Sequence, residues 1–156
     1  PITSFMMALT TFVSQNRGAK EYERARKGAR FGLVCSVSLA ETIGLLIALF
    51  VTPLMRLFVD DPQVIQYGVE RAHYATILFF MLAYSHGVSA VLRGVGKSVV
   101  PMVVMLVCWC LVRVTLLTML NMLFHNILFV YLIYPFTWSL SSIVFFLYYR
   151  KINWQE

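Results

Sequence analysis

Three ionisable side chains have long apolar sequence on both sides, Glu41, His86 and Arg113, and each implies a different chemistry. A carboxylate in such surroundings is costly when ionised. Glu41 therefore either takes up and releases a proton or cation, or stays protonated or Arg-paired and pins two helices together. Ser38, Gly44 and Ala48 share its helical face, small residues that let another helix come close. Arg113 keeps its charge and must find a carboxylate, backbone carbonyls or water; a pair with Glu41 would satisfy both, across a difference in depth. His86, with Ser89, Ala90 and Arg93 on its face, suits a proton relay or a hydrogen-bonded packing position. Phe80, Tyr84 and Trp109, with Phe79, Met81 and Met105, could line a pocket for flat hydrophobic cations, or could serve as packing between helices and lipid.

Other motifs carry less. The turn Arg93-Gly94-Val95-Gly96-Lys97-Ser98 echoes a phosphate loop, but it lacks the GxxxxGKS spacing and a preceding strand, so a basic glycine turn at the headgroups suffices. Cys35, Cys108 and Cys110 lie in apolar runs as small hydrophobes, without disulfide or metal spacing. No catalytic, cofactor-binding or metal-ligating cluster stands out, so an enzyme is not expected.

The elements that must position these residues follow from composition. With 60% hydrophobic residues, 13% charged and a mean hydropathy of +0.75, the 156-residue chain reads as an all-α, polytopic membrane helix bundle. The net charge of +6 does not imply nucleic acid, because the cations stand at the ends of apolar runs rather than along one face. Residues 1–13 read as the end of a truncated helix, closed at Gly18, rather than as a signal peptide. The chain is thus expected to be a fragment of a longer protein.

Residues 14–30 form a basic segment with six cations against Glu21 and Glu23, in which 19–30 should make a short charged helix. Spans follow at about 31–52, 72–92, 99–124 and 127–149, joined by a turn in which Asp60 or Asp61 caps a helix from Pro62, and by His125-Asn126. Pro135, in the last span, frees the Tyr131 carbonyl, with Thr137, Ser139, Ser141 and Ser142 nearby as compensation. Alternate loops carry the cations: residues 17–30, 93–97 and 150–156 on one side, against 56–71 and 121–126 on the other. By the positive-inside rule the first set, and the C-terminus, is cytoplasmic in a multi-pass protein of the cell membrane.

Several stretches carry a resemblance. ALTTFVSQNRGAKEYERARKGA resembles the ALTTFVGQNLGAGKYERARKG segment of the multidrug and toxic compound extrusion (MATE) transporters. LFVDDPQVIQYG is similar to their LF..DPEVI..G loop, VLRGVGKSVVPM to their VLRGAGKT..PM turn, and YPFTWSLSSIVFFLYYRKINW to their final helix and tail. The resemblance implies a twelve-helix exporter of two six-helix halves. This chain would supply the end of the eighth helix and helices nine to twelve, in the C-terminal half. Its implied partners are the missing N-terminal part of the same transporter, the lipid bilayer and small organic cations, with no nucleic acid. Its implied activity is efflux of organic cations and drugs by alternating access, coupled to sodium or protons without a further cofactor.

Departures from the pattern are Ser14 for the glycine before Gln15-Asn16, Arg17 for the leucine after it, and Arg113-Val114-Thr115 where a proline commonly follows. Some members carry a cation-binding Asp in the tenth helix, whereas residues 72–92 hold no acid. Two alternatives stay open: a lipid-linked polysaccharide flippase of related fold, and a non-transporting membrane anchor or assembly subunit.

Overall fold

The computed structural model describes residues 2–124 and 127–154. The described residues form α1 (Ile2–Gly18), α2 (Tyr22–Arg56), α3 (Pro62–Thr76), α4 (Phe79–Gly94), α5 (Val99–Met105), a π-helical segment (Leu106–Val112), α6 (Arg113–Phe124) and α7 (Ile127–Arg150). No strand occurs among them. The connection His125-Asn126 lies outside the described residues.

Helix α1 runs through Gly18 and closes two residues later than its glycine suggests. The Glu21 amide donates to the Asn16 carbonyl at 2.9 Å and the Lys20 amide to the Arg17 carbonyl at 2.9 Å. This is a Schellman closure whose left-handed position is held by Lys20, at φ 62°. The charged residues from Tyr22 onward are not a separate short helix. They are the first turns of α2, which continues unbroken for 35 residues. Nothing between Tyr22 and Phe31 breaks a helix. Gly28 and Gly32 face the Phe12 and Leu9 side chains of α1, so these glycines serve close packing. At 1.5 Å per residue, α2 is about 50 Å long against a hydrocarbon core of about 30 Å, which leaves its basic first turns beyond the apolar layer.

The chain turns at Asp61, whose Oδ1 accepts from the Gln63 amide at 2.8 Å ahead of Pro62 at the first helical position. The sequence read as one span over 72–92 is built from two helices: α3 and α4 meet at a bend of 56° across Ile77 and Leu78. The return stretch, Val99–Leu123, is long and apolar enough to cross a membrane, as are α2 and Leu128–Arg150; the bent α3–α4 pair makes a fourth candidate. Leu45, Leu49, Phe50, Met102, Leu111 and Met122 are exposed, an apolar surface that lipid or further protein must cover.

Helix α4 is the hub, packed against α1, α2 and α7. Its residues 87–92 are buried on every face, as expected of a helix surrounded by others. Small residues make the approach close: a Cβ added at Gly94 would stand 2.7 Å from Val13 Cβ and 2.9 Å from the Thr10 carbonyl oxygen. Thr10 Oγ1 lies 3.1 Å from the Ala90 carbonyl, across the same contact. The second glycine turn repeats the first closure. The Lys97 amide donates to the Leu92 carbonyl at 2.8 Å and the Gly96 amide to that of Arg93 at 3.0 Å, with Gly96 at φ 78°. The ends of α1 and α4 thus lie side by side, joined by Arg17 Nη1 donating to the Val95 carbonyl.

Candidate functional site

A seam of polar side chains runs between α4, the π segment and α7. Ser85, fully buried, has its Oγ 2.9 Å from that of Ser141 and 2.9 Å from that of Ser142. Ser142 Oγ donates to the Met81 carbonyl at 2.8 Å and Ser141 Oγ to that of Trp138 at 3.0 Å. Both protons are then used, so the one Ser85 proton is shared between two acceptors. Trp109 reaches the same cluster from the π segment, its Nε1–H donating to Ser141 Oγ at 3.3 Å. The Ser89 hydroxyl, one turn along α4, is buried without a hydrogen-bond partner among the described residues.

The seam continues to a cation. Arg113 donates through Nε and Nη2 to Thr137 Oγ1 at 3.1 and 2.6 Å, and that hydroxyl donates to the Tyr134 carbonyl at 3.0 Å. The Arg113 guanidinium carbon stands 4.6 Å from the centre of the Tyr134 ring and 5.3 Å from that of Trp109. Arg71 of α3 approaches the same Tyr134 ring at 5.1 Å. Charge in the apolar layer is met here by two ring faces and one hydroxyl. The π segment places Trp109 and, just past its end, Arg113 against α7 together; such irregular turns often coincide with functional positions in helices.

The residues singled out from sequence divide into three groups. His86, Trp109 and Arg113 come together: the His86 ring meets that of Trp109 edge-on at 5.1 Å. Phe80 and Tyr84 face a different space, an apolar cleft of about 310 Å³ that Val37, Met81, Ser142, Ile143 and Phe146 also line. Ser142 belongs to both, so the cleft and the polar seam share a wall. Glu41 lines neither; its Oε2 is buried without a hydrogen-bond partner among the described residues. A cross-bundle pair between Glu41 and Arg113 does not form, because Arg113 has turned to Thr137 on the helix beside it.

The hydroxyls expected to compensate Pro135 bond elsewhere. Ser139 donates to the Pro135 carbonyl at 2.8 Å, Thr137 to that of Tyr134 and Ser141 to that of Trp138. A helical hydroxyl reaches back three or four residues, which leaves Tyr131 out of range. The importance of Ser85, Tyr134 and Arg71 was not read from sequence. The four-residue spacing of Ser85 and Ser89, and of Thr137 and Ser141, is the signal that two polar stripes face one another.

The sequence pattern of the MatE family matches residues 1–119. The chain belongs to the MatE family. A relative in Thermotoga maritima, described as a probable multidrug resistance protein NorM, is 31% identical over 104 residues, which cover 67% of this chain. The match spans 22% of that relative's length. The chain is accordingly a MatE multi-pass membrane protein with an all-α fold. The MatE match includes Glu41, Ser85, His86, Trp109 and Arg113, and stops before Thr137, Ser141 and Ser142. One wall of the polar seam therefore lies within the matched residues and the other beyond them.

Proposed function

We propose that this chain is part of a membrane exporter of organic cations and drugs, driven by exchange for sodium or protons, and not of an enzyme. In this reading it supplies the end of the eighth helix and helices nine to twelve, with the basic end and the C-terminus in the cytoplasm. The description of the Thermotoga maritima relative as a multidrug resistance protein supports the substrate class. The observation that carries the reading is Glu41, a carboxyl group inside a helix long and apolar enough to cross a membrane, with one oxygen buried and unpartnered among the described residues. Ionised, it is costly there; a proton or a sodium ion removes the cost, so loading and release of that ion couples to how the helices pack. The apolar cleft at Phe80 and Tyr84 offers aromatic faces for a flat cation, which is the kind of cargo such an exchange would expel.

The test is efflux of a fluorescent organic cation from vesicles containing the complete protein, under imposed sodium and proton gradients, with wild type beside Glu41→Gln. The wild type should export under one of the gradients, and Glu41→Gln should lose roughly tenfold or more of that rate together with its ion dependence. No efflux by the wild type under either gradient rejects the function. Unchanged efflux and ion dependence in Glu41→Gln assigns Glu41 to packing.

A further inference from the structure

The basic end of the bundle holds a cavity to which the proposed export reading assigns no role. It has a volume of about 340 Å³ and is lined by Arg26 and Arg30 from α2, Tyr149 and Arg150 from α7, and Ile152 and Trp154 from the tail. Three guanidinium groups around one space repel one another, and no carboxylate among the described residues lines it. Glu23, the nearby acid on α2, is engaged 2.7 Å from Lys27.

The surroundings are built rather than incidental. After α7 the backbone turns, with the Ile152 amide donating to the Tyr149 carbonyl at 3.3 Å, and the Ile152 side chain enters the core at 8% exposure. That anchor sets the Trp154 ring edge-on to Tyr149 at 6.4 Å. Arg150 lies over the Phe146 ring at 5.8 Å, a contact that orients the guanidinium without using its N–H donors. Arg30 lies beside the Tyr149 hydroxyl, which is buried and completes no hydrogen bond of good geometry among the described residues.

We propose that this cavity binds the phosphate of an anionic phospholipid in the adjacent leaflet. Guanidinium forks from two helices match the paired oxygens of a phosphodiester, and the anion relieves their mutual repulsion. A lipid fits better than a free phosphate because the helices continue from the cavity with exposed apolar side chains, Phe31 and Val34 on α2 and Phe146 and Leu147 on α7, where acyl chains would lie. Trp154 stands where an indole favours the headgroup region.

The complete protein in neutral detergent is titrated with phosphatidylglycerol, and binding is read from retained lipid in native mass spectrometry and from the rise in melting temperature. Arg30→Gln with Arg150→Gln should weaken binding roughly tenfold or more. Arg24→Gln with Lys27→Gln removes the same charge from the same basic stretch outside the cavity and should leave binding unchanged. Arg30 and Arg150 are exposed, so the first pair spares the core. Equal losses in both pairs, or none in either, overturn the site. Displacement of the lipid by inorganic phosphate at equal concentration overturns the lipid as its ligand. Efflux is not measured, so the outcome is separate from that of the transport reading.

Discussion

Arg113 and Thr137 form a two-pronged contact in the apolar layer, with Nε and Nη2 of the arginine 3.1 and 2.6 Å from one hydroxyl oxygen. Thr137 is fully buried, and its hydroxyl oxygen accepts from both donors. Thr137→Val keeps the shape and strands the guanidinium, at a cost of about 1.5–3 kcal/mol. Replacing both partners, Arg113→Met with Thr137→Val, removes the stranded charge and should cost less than Thr137→Val alone. Thermal unfolding of the complete protein in detergent measures the cycle; a double variant less stable than Thr137→Val would refute the assignment.

Arg17 should behave as a clasp between α1 and α4. Its bond to the Val95 carbonyl ties two helix ends, and Arg17→Leu, which restores the residue usual in the resembled segment, should lower stability by about 1–2 kcal/mol. A melting temperature unchanged from wild type would show that the clasp contributes nothing.

Gly94 and Gly18 should respond oppositely to alanine. At Gly94 the new methyl meets the Thr10 carbonyl oxygen at 2.9 Å, a backbone atom that cannot swing aside, so about 1–3 kcal/mol is lost as α1 and α4 separate. At Gly18 an added Cβ meets nothing within 4 Å beyond its chain neighbours and its own helical backbone, and the gain in helix propensity should leave the protein unchanged or stabilised by up to about 1 kcal/mol. Comparing the two unfolding curves checks both signs at once.

Lys20→Gly should stabilise. Lys20 holds the left-handed position of its closure at φ 62°, a conformation that costs a residue with a Cβ about 1 kcal/mol and glycine almost none. Part of that gain is offset by the greater freedom of glycine in the unfolded chain, so a rise of a few tenths of a kcal/mol is expected. A fall in melting temperature would mean that the Lys20 side chain has a role beyond the turn.

The apolar runs, the Asp61-Pro62 helix start and the sorting of cations to alternate loops were legible from residues alone. These properties are local or cumulative: a span needs about twenty apolar residues in a row, and a cap needs one oxygen two residues from an amide. The structure gathers the ends so sorted, since Arg17 meets the α4 turn and Arg26 and Arg30 meet Arg150 at one end of the bundle. The extent of α2 was less legible, because its charged first turns and its apolar span differ in composition while sharing one uninterrupted helical backbone.

What the tertiary structure decided is which polar side chain meets which. Sequence identified Glu41 and Arg113 as the charges in need of partners; the fold gave Arg113 to Thr137 and two aromatic rings and left a Glu41 oxygen unpartnered among the described residues. It also divided the pocket residues, sending Phe80 and Tyr84 to an apolar cleft and Trp109 to the serine seam. The physical reason is that such pairing depends on the rotation and depth of each helix against its neighbours. The π segment and the 56° bend between α3 and α4 change both, and hydrophobic periodicity along a single helix does not encode them.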